Sequence, residues 1–462
     1  MRVVMRLNTD GTGLQRARNG QRSRQLYSAA FAAAAIFLLS GCGTNETSRE
    51  MDRAANAANP AGLSPGRGGL SRVVATASFA AATSDESRAT EVGRDILANG
   101  GNATDAAVAM YFALAVTLPS AASLGASGAC IVHDDKTKQA ESFVFAPIAA
   151  PGPIKGTSFS VPNGVRAVTL MHVRHGSSRW EAVVAPAERL ARFGVPVSRA
   201  LSRDMQAGAG MLGDNEARRV LGNAREGTTL VQAELAGTLG AIRQRGGAEF
   251  FQGQLARTIS EQISQAGGSM PVEALRNAVP QATAPISESH YRRRVYVAPA
   301  PMAGASALAG WKGSAPVGGV PVDSNGFAGL AAVDGKGGAA ACALSMGQLF
   351  GARVMVPNTG IMLGAPTADA AAVSPLIIAN PGNGEFTFAG AGGGAATAAQ
   401  AVGWVARGTI EEDKPLASVL AQLRGQGGFV NAIACPSGLR ADGSTCRVAA
   451  DPAGAGLAAV TR

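Results

Sequence analysis

The stretch GNATDAAVAMYFALAV, residues 101–116, decides the fold. From Thr104 to Val116 it reads as a helix that is apolar on every side, so it must be covered on every side. Such a helix belongs inside a layered domain, not on a surface. Upstream, Thr90 to Asn99 has helical spacing and stops at Gly100-Gly101. Before it, Val73 to Thr83 reads as a β-rich start. Downstream, Ala129 to His133, a turn at Asp134-Asp135, and Ala140 to Phe145 predict a hairpin. Trp180 to Arg192 predicts a helix stopped by Gly194 and Pro196, and Ser198 can cap the next one. Helical patterns dominate from Leu230 to Ala266, broken at Gly246-Gly247. Ser269 is expected to cap a short helix over Pro271 to Asn277, with Pro in its first turn. Tyr291 to Ala298 reads as a strand, and Val333 to Ser345 as a second hairpin. Helices in the first half and strands toward both ends predict an α+β fold with layered sheets. No internal repeat is present.

Hydrophobic residues are 46% of the 462 and charged ones 16%, which excludes a disordered polyelectrolyte. Aromatics at 5% argue against base-stacking platforms for nucleic acid. The formal charge of +9 would suggest a polyanion partner, but its source is the N-terminus. There Arg2, Arg6, Arg16, Arg18, Arg22 and Arg24 face one acid, Asp10, ahead of an apolar run of 11 residues, Ala29 to Leu39. That length suits a secretion signal and is too short to span a bilayer. It ends in Leu39-Ser40-Gly41-Cys42, which resembles a bacterial lipobox. The expectation is cleavage before Cys42 and lipidation of its thiol, so that acyl chains anchor the chain to a membrane. With Gly43 and not Asp after the Cys, the expected location is the cell envelope, facing the periplasm, at the outer rather than the inner membrane. Residues 1–41 take away six Arg and one Asp, leaving +4 over 421 residues. Residues 42–69, rich in Asn, Ala, Gly and Pro, read as a flexible tether.

Cys435 and Cys446 flank a turn-rich stretch, where a disulfide is plausible in an oxidising compartment. Cys130 and Cys342 lie in apolar strand-like runs and are expected as buried free thiols. No CxxC occurs, and His133, His172, His175 and His290 lack ligand spacing, so no metal or other cofactor is expected. His172 and His175 read as surface residues near a loop. Arg292-Arg293-Arg294, the dense basic cluster of the mature chain, reads as solvated charge at a strand edge and not as a nucleic-acid site.

Seven stretches, in order, resemble the gamma-glutamyltransferase family. They are residues 101–109 (GNATDAAVA), 124–128 (LGASG), 180–198 (WEAVVAPAERLARFGVPVS), 247–253 (GAEFFQG), 356–363 (VPNTGIML), 390–394 (GAGGG) and a closing pair at 450–452 and 456–459. The resemblance runs from about Ala75 to the C-terminus. It implies a four-layer αββα sandwich of the N-terminal nucleophile hydrolase type over residues 70–462. Residues 70–323 are then similar to the family's large subunit and 324–462 to its small one. In that family a precursor cuts itself to free a Thr, whose own α-amine serves as base in attacking a γ-glutamyl amide such as glutathione.

Carried over residue by residue, the resemblance leaves the chemistry depleted. The family's Thr-Thr-His-x-Ser-Val-Val-Asp motif aligns its end with Ala332-Val333-Asp334, which puts the nucleophile on Phe327, the second Thr on Ala328 and the His on Gly329. The nearest hydroxyl is Ser324, three residues and roughly 10 Å of extended strand away. Asp323-Ser324-Asn325-Gly326 is also an ordinary turn sequence. The carboxylate-binding Arg falls on Ala146, and the Ser pair on Ala371-Ala372 with Ser374-Pro375 surviving. Of the amine-binding segment, Gly364 to Asp369, only Asp369 could act. Oxyanion glycines are retained as Gly393 and Gly394. The expectation is a gamma-glutamyltransferase-like protein with lost or much reduced activity and a binding or structural role. Its small ligand would be gamma-glutamyl or amino-acid-like, and no protein partner is specified. The alternative is an active glutathione hydrolase-like enzyme using Ser324 as a displaced, self-processed nucleophile.

Overall fold

In the computed structural model Asn102 and Asp105 start the central helix reciprocally. Asp105 N donates to Asn102 Oδ1 at 2.9 Å, and Asn102 N donates to the Asp105 carboxylate at 3.0 Å. The model describes residues 79–317, 323–423, 428–452 and 454–461. The expected export signal, the expected tether and Cys42 lie outside them.

Thirteen strands build two antiparallel sheets. In chain order they are β1 (Ala80–Ser84), β2 (Ser127–His133), β3 (Ala140–Phe145), β4 (Gln281–Thr283), β5 (Ile286–His290), β6 (Arg293–Val297) and β7 (Phe327–Val333). There follow β8 (Ala339–Ser345), β9 (Leu376–Ala379), β10 (Phe386–Gly393), β11 (Phe429–Ala434), β12 (Arg447–Ala449) and β13 (Leu457–Thr461). The first sheet has the order β13-β1-β7-β8-β2-β3-β4, and the second β12-β11-β10-β9-β6-β5.

Helices α1 (Ser87–Ala98), α2 (Ala103–Thr117), α3 (Gly164–His175), α4 (Trp180–Phe193) and α5 (Arg199–Ala207) belong to the first half. Every residue of α2 is buried, because α1 and α4 cover it on one side and β7 and β8 on the other. Helices α6 (Gly304–Trp311), α7 (Ala398–Ile410) and α8 (Leu416–Gln422) cover the second sheet. The period of two assigns the faces. Leu330, Ala332, Ala340, Cys342 and Leu344 face the first helical layer, while Ala331, Val333, Ala339 and Ala341 face the other sheet. In the second sheet Leu376, Ile378, Val430 and Ala432 face α6–α8, and Ile377, Ala379 and Ile433 point inward. The result is helix, sheet, sheet, helix.

Four expectations are corrected. Cys130 and Cys342 are not free thiols. They are direct Cα partners on β2 and β8, 4.0 Å apart, and form a fully buried disulfide. A second disulfide joins Cys435 and Cys446. Ser269 does not cap the short helix, which runs Val272–Asn277 with Pro271 at its cap. Ser269 instead exchanges backbone bonds with Gly152. His172 and His175 are half-buried and not surface residues, because α3 continues to His175 and lays its ring on the β2–β3 hairpin, while His172 faces the start of α2 and Trp180. His175 Nε2 lies 2.7 Å from Glu141, and His172 Nε2 lies 3.4 Å from Asp105. Arg293 is not an edge charge, because β6 lies between β9 and β5 and its guanidinium donates to the carbonyls of Ile410 and Pro436.

The Cys130–Cys342 bridge closes a loop of 212 residues. On the chain-entropy model that is worth about 5 kcal/mol. Replacing both cysteines by Ala should lower the unfolding free energy by an amount of that order, read as a lower urea midpoint by circular dichroism. An unchanged midpoint would mean that the bridge does not form.

Candidate functional site

The site is built around the start of β7. Asp323-Ser324-Asn325-Gly326 forms a tight turn, with φ of +49° at Asn325 and +78° at Gly326 and a 2.9 Å bond from Phe327 N to Ser324 O. An Asn-Gly pair suits these left-handed positions. The turn delivers Phe327 into the space between the sheets, where it is 1% exposed. It packs with Ala129, Val144, Ala298, Met302, Val373 and Ala391, with Ala146 and Ala371 against them. Three positions that the resemblance ties to chemistry therefore share one place: nucleophile (Phe327), carboxylate clamp (Ala146) and the first of the Ser pair (Ala371). All three are apolar.

Beside Phe327 the sheets touch backbone to backbone. A Cβ on Gly329 would stand 2.6 Å from the Ala391 carbonyl carbon, so no side chain fits there. The contact is tied by Asp85, which follows β1. Its carboxylate accepts from Gly329 N at 2.7 Å and from Asn431 Nδ2 at 2.9 Å. Burial pushes the Asp85 carboxyl up to about 6, against the pull of those two hydrogen bonds.

Ser324 is 3% exposed, and its hydroxyl is committed. Oγ donates to Asp204 Oδ2 at 2.5 Å, and Ser324 N donates to Oδ1 at 2.8 Å. Ser120 Oγ reaches the same Oδ2 at 2.5 Å. Burial raises the Asp204 carboxyl, opposed by both serines. Gly393 and Gly394 lie beside Ser324. A Cβ on Gly393 would meet Phe327 O at 2.6 Å, and Gly394 N donates to Ser324 O at 3.2 Å. The Gly394 amide is thus already engaged and does not stand open as an oxyanion donor.

The remaining two residues are not assembled with them for chemistry. Asp369 is exposed on a short 3₁₀ turn, Ala368–Ala371. Ser374 is buried but structural, accepting from Ala298 N and donating to Pro375 O. Asp204, Ser120, Asp85 and Asn431 were missed by the sequence reading. Asp204 sits in an amphipathic helix and meets Ser324 across 120 positions, a pairing that no local spacing announces. Among the described residues no group of three or more His, Cys, Asp or Glu could hold a metal ion.

Residues 89–312 match the family model described as Gamma-glutamyltranspeptidase. The chain is 31% identical over 239 residues to the glutathione hydrolase proenzyme of Bacillus subtilis (strain 168), covering 47% of this chain and 41% of that protein. It is 33% identical over 242 residues to the glutathione hydrolase proenzyme of Escherichia coli (strain K12), covering 47% and 42%. The matched region is therefore under half the length of either relative. A cephalosporin acylase from Bacillus halodurans superimposes with a TM-score of 0.65 at 20% identity, over 83% of this chain and 96% of that one. The fold is the α+β, four-layer αββα sandwich of the N-terminal nucleophile hydrolases. The family model ends at residue 312, before the turn that carries Ser324 and Phe327.

The buried carboxyl sets a pH dependence. The folded pKa of Asp85, about 6, lies above the ordinary carboxylate value of 3.8. Its contribution to stability is therefore fully present below about pH 4 and lost as pH rises through 6. Two units correspond to about 3 kcal/mol. Asp204 and Asp334, also raised by burial, act in the same sense. Asp105 acts oppositely. Despite its burial, the neighbouring His172 ring and hydrogen bonds from Ser177 and Asn102 hold its carboxyl far below the usual range, so its stabilisation is lost only in stronger acid. Urea unfolding should show stability rising from pH 7 to 4.5, and Asp85→Ala should flatten that rise.

Proposed function

We propose that this chain is a gamma-glutamyltransferase-like envelope lipoprotein whose gamma-glutamyl hydrolase and transferase chemistry is lost or much reduced, leaving a binding or structural role. The observation that carries the reading is the apolar cluster around Phe327. Acyl transfer from a γ-glutamyl amide needs a hydroxyl nucleophile, a neutral amine beside it, free oxyanion donors and a cation for the substrate carboxylate. In this cluster a phenyl ring and methyl groups stand in those places. A carboxylate entering it would forgo a charge-assisted pair worth about 1.5–3 kcal/mol. A gamma-glutamyl or amino-acid-like ligand meets no cation within the cluster.

One observation favours a second reading, an active hydrolase using Ser324. Its hydroxyl already donates to a carboxylate whose proton affinity is raised by burial. That route requires chain cleavage between Asp323 and Ser324 to free the amine. Denaturing electrophoresis of the purified protein separates the readings. The first expects one intact band and release of product from a γ-glutamyl anilide about 10⁴-fold or more below an active relative, the scale of losing a nucleophile. Two fragments split at Ser324, absent in Ser324→Ala, together with anilide turnover would establish the second.

The anchor is the third part of the proposal: cleavage before Cys42 and lipidation of its thiol, with the outer membrane as the location. No helix among the described residues is long and apolar enough to cross a membrane. Intact mass should equal residues 42–462 plus the acyl groups, and Cys42→Ala should move the protein out of the membrane fraction. A mass that retains residues 1–41, or an unlipidated Cys42, overturns this part.

A further inference from the structure

A second cavity, distinct from the Phe327 cluster, opens between the loop 347–357 and the turn at Lys155. Its volume is ≈ 650 Å³, within the range of small-molecule sites. Its wall carries Arg353, whose Nε is buried with no hydrogen-bond partner. No carboxylate lies within 4 Å of that guanidinium among the described residues. Arginine cannot shed its proton to escape such a position, so the charge stays, and among the described residues no protein carboxylate pairs with it.

The backbone presents this side chain at a cost. Phe350 and Arg353 both hold left-handed φ values, +61° and +60°. The loop is nonetheless fixed, by Phe350 N to Ser120 O at 2.9 Å and Ala352 N to Leu363 O at 2.8 Å. The Gln348 side chain adds a bond to Gly351 O at 2.9 Å. A strained conformation held by its surroundings points to function. Across the cavity Lys155 also holds a left-handed φ, +47°, and has no carboxylate within 4 Å among the described residues.

The acids on the wall already have partners. Asp214 caps its helix by accepting from Ala217 N at 2.9 Å, and Glu216 pairs with Arg219 at 2.7 Å. The uncommitted charge in the cavity is positive. Met211, 37% exposed, and Val354 add an apolar wall.

We propose that this cavity binds a small organic anion. The Arg353 guanidinium takes the anionic group in a bidentate pair, Lys155 supplies the second cation, and Met211 with Val354 covers the apolar part. A carboxylate or a phosphate ester carries this chemistry. The proposal does not rest on the reading of the Phe327 cluster.

The test is calorimetric titration of the mature protein with hexanoate, hexyl phosphate, the neutral isostere hexanamide, and inorganic phosphate. Saturable binding is expected for hexanoate or hexyl phosphate, and whichever is tighter identifies the anionic group. Hexanamide should not bind, and inorganic phosphate should bind at least about tenfold more weakly than the alkyl anions, lacking the apolar part. Arg353→Met should weaken the anion about tenfold or more, the size of one charge-assisted pair, and Lys155→Ala should weaken it less. Because Arg353 has no partner in the fold, Arg353→Met should leave Tm unchanged or raise it, a result that a structural arginine would not give. Arg353→Lys, which keeps the charge without the fork, should bind at an intermediate level and serves if the Met variant does not fold. Absence of saturation by both alkyl anions, equal binding of hexanamide, or undiminished binding by a folded Arg353→Met or by Arg353→Lys overturns the proposal.

Discussion

The backbone contact between Gly329 on β7 and Ala391 on β10 is the constraint on which the rest of the sandwich depends. Stacked sheets ordinarily stand about 10 Å apart, with side chains between them. Here that spacing is unavailable at one point, and the strands around it must carry little or nothing inward. Ala331, Ala339, Ala341 and Ala391 are what such a gap accepts. The high alanine and glycine content is thus a packing requirement of two closely set sheets and not a sign of low complexity. Phe327, two residues before Gly329 and on the same face, enters where the sheets diverge enough to admit a ring. It is the largest side chain of its cluster.

Polar groups buried beside so narrow a gap need partners from the protein itself. Asp85 answers that need by joining β1, β7 and β11 through Gly329 N and Asn431 Nδ2. Its raised pKa is the cost of burying a carboxylate there, which those hydrogen bonds only partly offset. Asp204 solves the same problem at the turn, with two serine hydroxyls and one amide. Both acids lock the start of β7. Ser324 therefore has a structural occupation that accounts for its burial without any reaction.

The sequence made the layers readable because period and punctuation are local. The apolar helix 103–117, the stop at Gly100-Gly101 and the hairpin at Asp334 each depend on residues within a few positions of one another. What escaped was the long-range pairing. Cys130 and Cys342 look like ordinary buried thiols until the register of β2 and β8 sets them opposite each other. His172 and His175 look exposed until α3 is seen to extend over the hairpin. At the site, the depletion at Phe327, Ala146 and Ala371 was legible by counting along the chain. That these three positions meet in one apolar cluster was not, because their sequence separation exceeds any local pattern.

On the proposed reading, a retained scaffold beside altered chemistry has a physical basis in this chain. The region that matches the family model, residues 89–312, contains the buried helix α2, its capping box and most of the first helical layer. Those features are dictated by sterics and backbone hydrogen bonding, and they stabilise the fold whether or not a substrate is bound. Catalytic groups behave differently. A buried guanidinium or an unpaired hydroxyl in a dry gap lowers stability until a ligand meets it. Alanine at 146 and 371 and phenylalanine at 327 remove that demand and add apolar contact in its place. The same argument reads in reverse at Arg353, where an unmet charge persists at the wall of an open cavity on a strained backbone. Taken together, the two proposals describe a fold that has discharged its polar obligations at one site and kept one at another, as a change of ligand site requires.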